Sequence, residues 1–263
     1  AIRRALRRVS PRALAVAVGV PALFALLATG LATGGQLSSA QAAPVIHVQP
    51  VVAAVVPARD YSVRRTAVID FARLVHREFT IDTNDRVAFI TIDDGVFKDP
   101  RALAFVRSHK LPITAFISTW TVKDRAPYFS AITEWGSIQN HSATHASFAQ
   151  KSTDLDHEIC YSQRMLKRTF GEKPWMLRPP YGAGSANGEV LRTAFACGLR
   201  EVVLWDAYAQ RGKVVRTARL GPGSVILLHF NKNLVRDLRA VVSALHKAGL
   251  RPADLADYLP DRR

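Results

Sequence analysis

The chain has 263 residues, 48% hydrophobic and 22% charged. That is room for one large domain or two small ones at ordinary globular composition, which excludes collagen-like, low-complexity and wholly disordered classes. Its two cysteines exclude a disulfide-dense scaffold, a multi-cysteine zinc site and an iron–sulfur cluster. The net charge of +15, from 36 basic and 21 acidic residues, points to anionic surroundings and leaves nucleic acid, acidic lipid and acidic wall polymer open.

Residues 1–12 carry Arg3, Arg4, Arg7, Arg8 and Arg12 and no acid, and no Asp, Glu, Lys or Arg follows until Arg59. An apolar run from Ala13 to Thr33 leads to a small-residue site, Ala40-x-Ala42. A basic start, an apolar centre and such a site read as an export signal. The run is also long enough to span a bilayer, so an uncleaved anchor is the alternative. Residues 1–42 are assigned to this segment, 43–62 (rich in Ala, Val and Pro) to a linker, and 63–263 to the working domain, with its core at 86–259. The product is then secreted or held at the cell envelope, touching membrane only through the N-terminal segment. Losing the five leading arginines leaves +10, which suits an anionic envelope polymer. Nucleic acid drops out, because no basic run is interleaved with aromatics.

Val68, Phe71, Val75 and Phe79 lie at helical spacing and predict a short helix over 64–79. From residue 86 the pattern alternates. Apolar runs at 87–93, 113–118, 137–140, 175–177, 202–205 and 224–230 predict strands. Between them, helices are expected from Asp99-Pro100 to about 109, near 127–135, and over 155–170. A further helix carries Val190, Leu191, Ala194 and Phe195, and the last runs from Leu234 to Leu245. Asp99 and Pro100 suit a helix start, and Gly171, Gly198 and Gly249 suit helix ends. Strands alternating with helices imply an α/β fold with a mostly parallel sheet or barrel.

In such folds sites form where strands end. Strand ends in order carry Asp93-Asp94-Gly95, His141-Ser142-Ala143-Thr144-His145, Arg178-Pro179-Pro180-Tyr181-Gly182, Asp206 and His229. Alone, Asp93-Asp94-Gly95 reads as a turn, and His141 with His145 as a solvated pair. Together they offer one carboxylate and two imidazoles, the three-ligand set that leaves a position open for water on a catalytic metal. Oxygen and nitrogen ligands without thiolate fit zinc, cobalt or a similar divalent ion. The second carboxylate of the Asp pair is then free to act as a base.

Four motifs in this order, TIDDG (91–95), HSATH (141–145), RPPYG (178–182) and LLH (227–229), resemble those of the polysaccharide deacetylases, the NodB-homology or carbohydrate esterase family 4 enzymes. The resemblance covers residues 86–259. It implies a distorted (β/α) barrel of fewer than eight strands and metal-dependent removal of an N- or O-acetyl group from a sugar. By this resemblance Asp93 is the general base, Asp94, His141 and His145 hold the metal, and His229 is the general acid. Leu227 walls the acetyl pocket, the Tyr181 N–H meets the oxyanion, and Arg178 orients Asp93 by ion pairing. The family's fourth motif, Asp-x-x-Asp-Trp, is not recognisable, and Asp206 is the residue expected to supply its carboxylate to His229 or Arg178.

The expected function is an exported deacetylase acting on an acetylated polysaccharide, with peptidoglycan or chitin-like chains leading. A non-catalytic glycan-binding relative and an O-acetyl esterase on xylan-type polymer are the alternatives. Cys160 and Cys197 read as two packed thiols, with a disulfide as the second choice. Trp120 and Trp135 read equally as sugar platforms or as packing residues.

Overall fold

The computed structural model of the chain describes residues 70–216 and 219–259, so the export segment and linker expected at 1–62 lie outside the described residues. The strands are β1 (His76–Glu78), β2 (Val87–Asp94), β3 (Ile113–Ile117), β4 (Ser137–Asn140), β5 (Met176–Leu177), β6 (Glu201–Val203), β7 (Ala207–Gln210), β8 (Lys213–Arg216), β9 (Ser224–His229) and β10 (Arg251–Pro252). The helices are α1 (Pro100–His109), α2 (Ala126–Ile132), α3 (Ser162–Phe170), α4 (Gly188–Ala196) and α5 (Leu234–Ala248).

All ten strands join one sheet in the order β1-β6-β5-β4-β3-β2-β9-β7-β8, with β10 beside the start of β2. Every pairing is parallel except β7 with β8. The sheet curls until Thr80, just after β1, bridges Ser224 at the start of β9, and Ile81 N–H donates to Gly223 O at 2.9 Å. The result is a distorted (β/α) barrel. Seven strands, β1-β6-β5-β4-β3-β2-β9, form the ring that this bridge closes, in line with the fewer than eight implied by resemblance, and β7, β8 and β10 lie off it.

Side-chain alternation along β2 explains both cores. Val87 and Phe89 point inward with Phe116, Val203 and Val225. Ala88, Ile90 and Ile92 point outward against residues of α1 and α5 such as Phe105, Leu238 and Val241. A third cluster joins β5 and β6 to α4 through Leu177, Val202, Val190 and Leu191. Toward the C-terminal end of β2 the inward residues become Thr91 and Asp93, both buried. The interior therefore changes from apolar to polar where the strands end.

The helix expected over 64–79 is corrected within the described residues. Phe71–Arg73 is one 3-10 turn and His76–Glu78 is a strand on the edge of β6. Val75 is fully buried while Phe79 is exposed, so the helical spacing did not mark one apolar face. The hairpin β7–β8 was not anticipated. Arg211 and Gly212, at φ of 52° and 76°, form the two-residue turn with positive φ that closes tight hairpins. Cys160 and Cys197 are joined as a disulfide with Cα atoms 5.3 Å apart, which corrects the reading of two packed thiols. The chain between them, a sequence separation of 37, returns through β5 and α4 to the same point.

Candidate metal centre

The polar strand ends converge. Asp93 and Asp94 end β2, His141 follows β4, and Arg178 follows β5. His229 ends β9 directly opposite Asp93 in register. One oxygen of Asp94, Oδ1, lies 3.1 Å from His145 Nε2 and 3.4 Å from His141 Nε2. The three ligand atoms all lie within 4.8 Å of one another. This oxygen is buried yet accepts no well-aligned hydrogen bond, an arrangement that costs free energy unless something else meets it. His141 Nδ1 donates to Arg178 O at 2.7 Å, which leaves Nε2 with its lone pair aimed at Asp94, the usual tautomer of a metal-binding histidine. These residues fit a divalent cation.

Electrostatics follow from the same contacts. Burial pushes the Asp94 carboxyl up, but His141 and His145 outweigh it and hold it well below the usual carboxylate range. The reciprocal contact with Asp94 raises the pKa of His145 against the opposing effect of burial.

Asp93 has a different environment. Its Oδ1 accepts from Arg178 Nη1 at 2.8 Å, and its Oδ2 lies 3.7 Å from His141 Nε2. Arg178 is fully buried and uses its whole fork: Nη1 also donates to Thr91 Oγ1 at 2.7 Å, Nε to Val203 O at 2.9 Å and Nη2 to Leu204 O at 2.9 Å. The guanidinium lies over the Phe116 ring at 4.2 Å. A buried cation so bound cannot swing away, so it fixes one oxygen of Asp93 and leaves the other toward the histidines. Leu227, two residues before His229 on β9, is buried on the same face of the sheet. Tyr181 has φ of 62°, and its exposed ring meets His145 edge-on at 4.8 Å.

Asp206 does not join them. Its carboxylate accepts from Ser224 Oγ at 3.0 Å and Val225 N–H at 2.8 Å. Those residues begin β9 whereas His229 ends it, some ~13 Å away at the usual rise per residue. The expectation that Asp206 tunes His229 is corrected by this placement. Trp135 lies beside Asp85, Lys110 and Pro112 at the start of the strands, the pole away from the site. Trp120 is exposed, and its N–H donates to Ala143 O at 3.1 Å, which puts it beside the His141–His145 loop.

Glu158 was missed. It lies in a π-helical turn, Asp156–Tyr161, ahead of α3, and it is almost fully buried. Its Oε2 accepts the N–H groups of Ala143 and Thr144 at 3.1 and 2.9 Å, and its Oε1 accepts Thr144 Oγ1 at 2.7 Å. These are the residues between the two histidines. Asn140 Oδ1 accepts Ser142 N–H at 2.9 Å and Ser142 Oγ accepts His145 N–H at 2.9 Å, completing the support of a loop in which Ser142 and His145 both have positive φ. The signal in the sequence was an acid on the inward arc of an apolar helix, between Leu155 and Ile159.

Residues 80–202 match the family described as polysaccharide deacetylase. A Streptomyces coelicolor protein described as uncharacterized is 30% identical over 193 residues, covering 68% of this chain and 75% of its own length. A peptidoglycan-N-acetylmuramic acid deacetylase of Bacillus subtilis is 26% identical over 196 residues, covering 68% of this chain and 73% of its own. Among solved structures, a CE4 family pseudoenzyme from Bacillus anthracis shares the fold with a TM-score of 0.59 at 18% identity, over 70% of this chain and 68% of that one.

Proposed function

Because the chain belongs to the polysaccharide deacetylase family, we propose that it is an exported, metal-dependent hydrolase that removes N-acetyl groups from peptidoglycan glycan. One observation carries the reading: a buried, otherwise unmet oxygen of Asp94 faces the Nε2 atoms of His141 and His145, beside a base held by a buried arginine. A divalent cation held by Asp94, His141 and His145, for which zinc fits best and cobalt next, supplies Lewis acidity toward the acetyl carbonyl and toward water when bound.

This chain's own groups divide the remaining work. Asp93, steadied by Arg178, takes the proton of the attacking water. The Tyr181 N–H donates to the oxygen that gains charge. Leu227 walls the acetyl methyl, and His229, across the sheet from Asp93, gives its proton to the departing amine. Acetate and a free amino sugar result.

The test uses the full chain. Purified protein should hold about one divalent ion per chain, His141→Ala should lose it, and the loaded protein should release acetate from N-acetylated peptidoglycan glycan. Asp93→Asn should keep the ion and lose roughly 10²–10⁴-fold in acetate release, the usual weight of a positioned base. No ion after incubation with zinc or cobalt would defeat the reading. The placement of Asp206 at the far end of β9 favours a second one, a glycan-binding relative without turnover, since among the described residues no hydrogen bond or ion pair to a carboxylate is found at His229. Binding that survives chelation without acetate release would support it. Release from O-acetylated xylan in preference to N-acetylated glycan would point instead to the esterase.

A further inference from the structure

Charge is unevenly spread over the molecule. Between residues 207 and 253 there are nine Lys and Arg and one acid, Asp237. That acid is buried and accepts the N–H of Gly212, so it faces none of them from the surface. Four of the nine, Arg211, Lys213, Lys232 and Arg236, fall at the pole where the site lies. Strand β7 runs parallel to β9, so its far end, and the Arg211-Gly212 turn beyond it, are on the His229 side. Lys232 follows His229 by three residues in the connection to α5. The Arg236 side chain donates to Arg211 O, which with Asp237 clamps the hairpin turn to the first turns of α5. All four side chains are exposed, and none makes an ion pair among the described residues.

The hairpin also offers an apolar surface. Tyr208 pairs in register with Leu227, so the two side chains project to the same face of the sheet, the one that carries Asp93 and His229. Across the hairpin Tyr208 pairs with Val215 and Gln210 with Lys213, which puts all four on that face. Tyr208 and Val215 are 39% and 42% exposed, unusual for a cross-strand apolar pair unless something covers it. An aromatic face beside polar groups and cations suits a sugar ring with an acidic substituent, whereas a neutral glycan has no use for the cations.

Resting on the proposed deacetylase reading, we propose that this rim selects an acidic glycan. Arg211, Lys213 and Lys232 receive a carboxylate carried on the sugar chain, such as the lactyl ether of a muramic acid, and Tyr208 packs under a neighbouring ring. The clamp fixes the backbone that carries Arg211 and Lys213 before substrate arrives.

The test measures binding and acetate release side by side on the full chain loaded with zinc. One ligand is a peptide-free glycan of alternating N-acetylglucosamine and N-acetylmuramic acid with its carboxyls free, the other the same glycan with the carboxyls converted to amides. The free acid should bind roughly five-fold more tightly, the size expected of a few solvent-exposed ion contacts. That preference should shrink as salt rises, and the Lys213→Glu, Lys232→Glu double variant should lose it. Because both lysines are exposed, the variant should keep its circular dichroism. Equal binding of the two glycans, no binding of either, or a preference untouched by the double variant overturns the proposal. Acetate release without any preference leaves the deacetylase reading standing and removes this one. A preference without acetate release does the reverse.

Discussion

Glu158→Gln isolates the charge that supports the His141–His145 loop. The substitution keeps volume and lets the amide oxygen still accept from the backbone, so no N–H need be stranded. What disappears is the charge behind three contacts of 2.7 to 3.1 Å to Ala143 and Thr144. Hydrogen bonds to charged groups contribute about 1.5–3 kcal/mol and neutral ones about 0.5–1.5. The loss is therefore roughly 1 kcal/mol per contact, or about 3 kcal/mol if all three weaken in full. Part of that is recovered by relaxation of the loop. The remainder falls on the geometry of His141 and His145, and ~1.4–2.8 kcal/mol there is a 10- to 100-fold loss of metal affinity, the range seen when groups supporting metal ligands are changed. Competition between the protein and a chromophoric chelator for zinc measures this directly. Thermal unfolding of the chelated protein gives the control. Affinity within two-fold of wild type would refute the argument, and a lowered melting point with unchanged affinity would show that Glu158 serves the fold alone.

Three further outcomes follow from the same geometry. Arg178→Met strands Asp93 and two backbone carbonyls in the barrel interior; breaking a buried ion pair costs about 3–5 kcal/mol, and a loss of unfolding free energy in urea below a third of that would contradict it. Asp99, buried at the start of α1, accepts from the side chain and N–H of Arg101, and the Arg101 side chain chiefly holds its carboxyl below the usual range. A carboxyl so depressed contributes stability above its unfolded value near ~3.9 and loses it as pH falls through the folded value. Asp99→Ala should thus cost about 1 kcal/mol at pH 7 and less at pH 3, read from urea curves at the two pH values. Replacing Cys160 and Cys197 by alanine opens a loop of 37 residues, which the chain-entropy account puts at about 4 kcal/mol; calorimetry that finds no change would argue against a formed bond.

Most of the barrel was legible because its signals are local and repeated. Apolar runs of five to eight residues ending in polar ones gave β2, β3 and β9, and Asp99-Pro100 gave the start of α1. Short strands failed for the opposite reason. Residues 76–78 form a strand only because β6 offers an edge to pair with, and nothing within those three residues says so. The β7–β8 hairpin had a readable signal: Ala207-Tyr208-Ala209-Gln210 alternates small and large, Arg211-Gly212 marks a turn, and Lys213 to Arg216 follows with two β-branched residues. With Tyr208, Gln210 and most of Lys213 to Arg216 exposed, the segment has too little apolar content to stand out beside the buried strands.

The candidate site was legible in the residues that meet there and illegible in their supports, and backbone strain shows why. Asp94, Ser142, His145 and Tyr181 are non-glycine residues at φ of 78°, 75°, 68° and 62°, each in a region that side chains with a Cβ avoid at a cost of order 1–3 kcal/mol. Four such residues at one rim would relax if held only by local preference. Each has a distant hold. The Asp94 carbonyl accepts from Ser118 N–H and Thr121 Oγ1, both at 3.1 Å; Asn140 and Glu158 hold the His141–His145 loop; and the Arg178 carbonyl receives His141 just ahead of the Tyr181 turn. Ligand types and their spacing are properties of the segment itself, so a motif reveals them. Apart from Asn140, two residues from Ser142, the holds come from 14 to 37 residues away in sequence, and they matter because the rim must be fixed before a metal or substrate reaches it. A residue such as Glu158 therefore supports the loop that carries His145, and the folded chain shows which groups it holds.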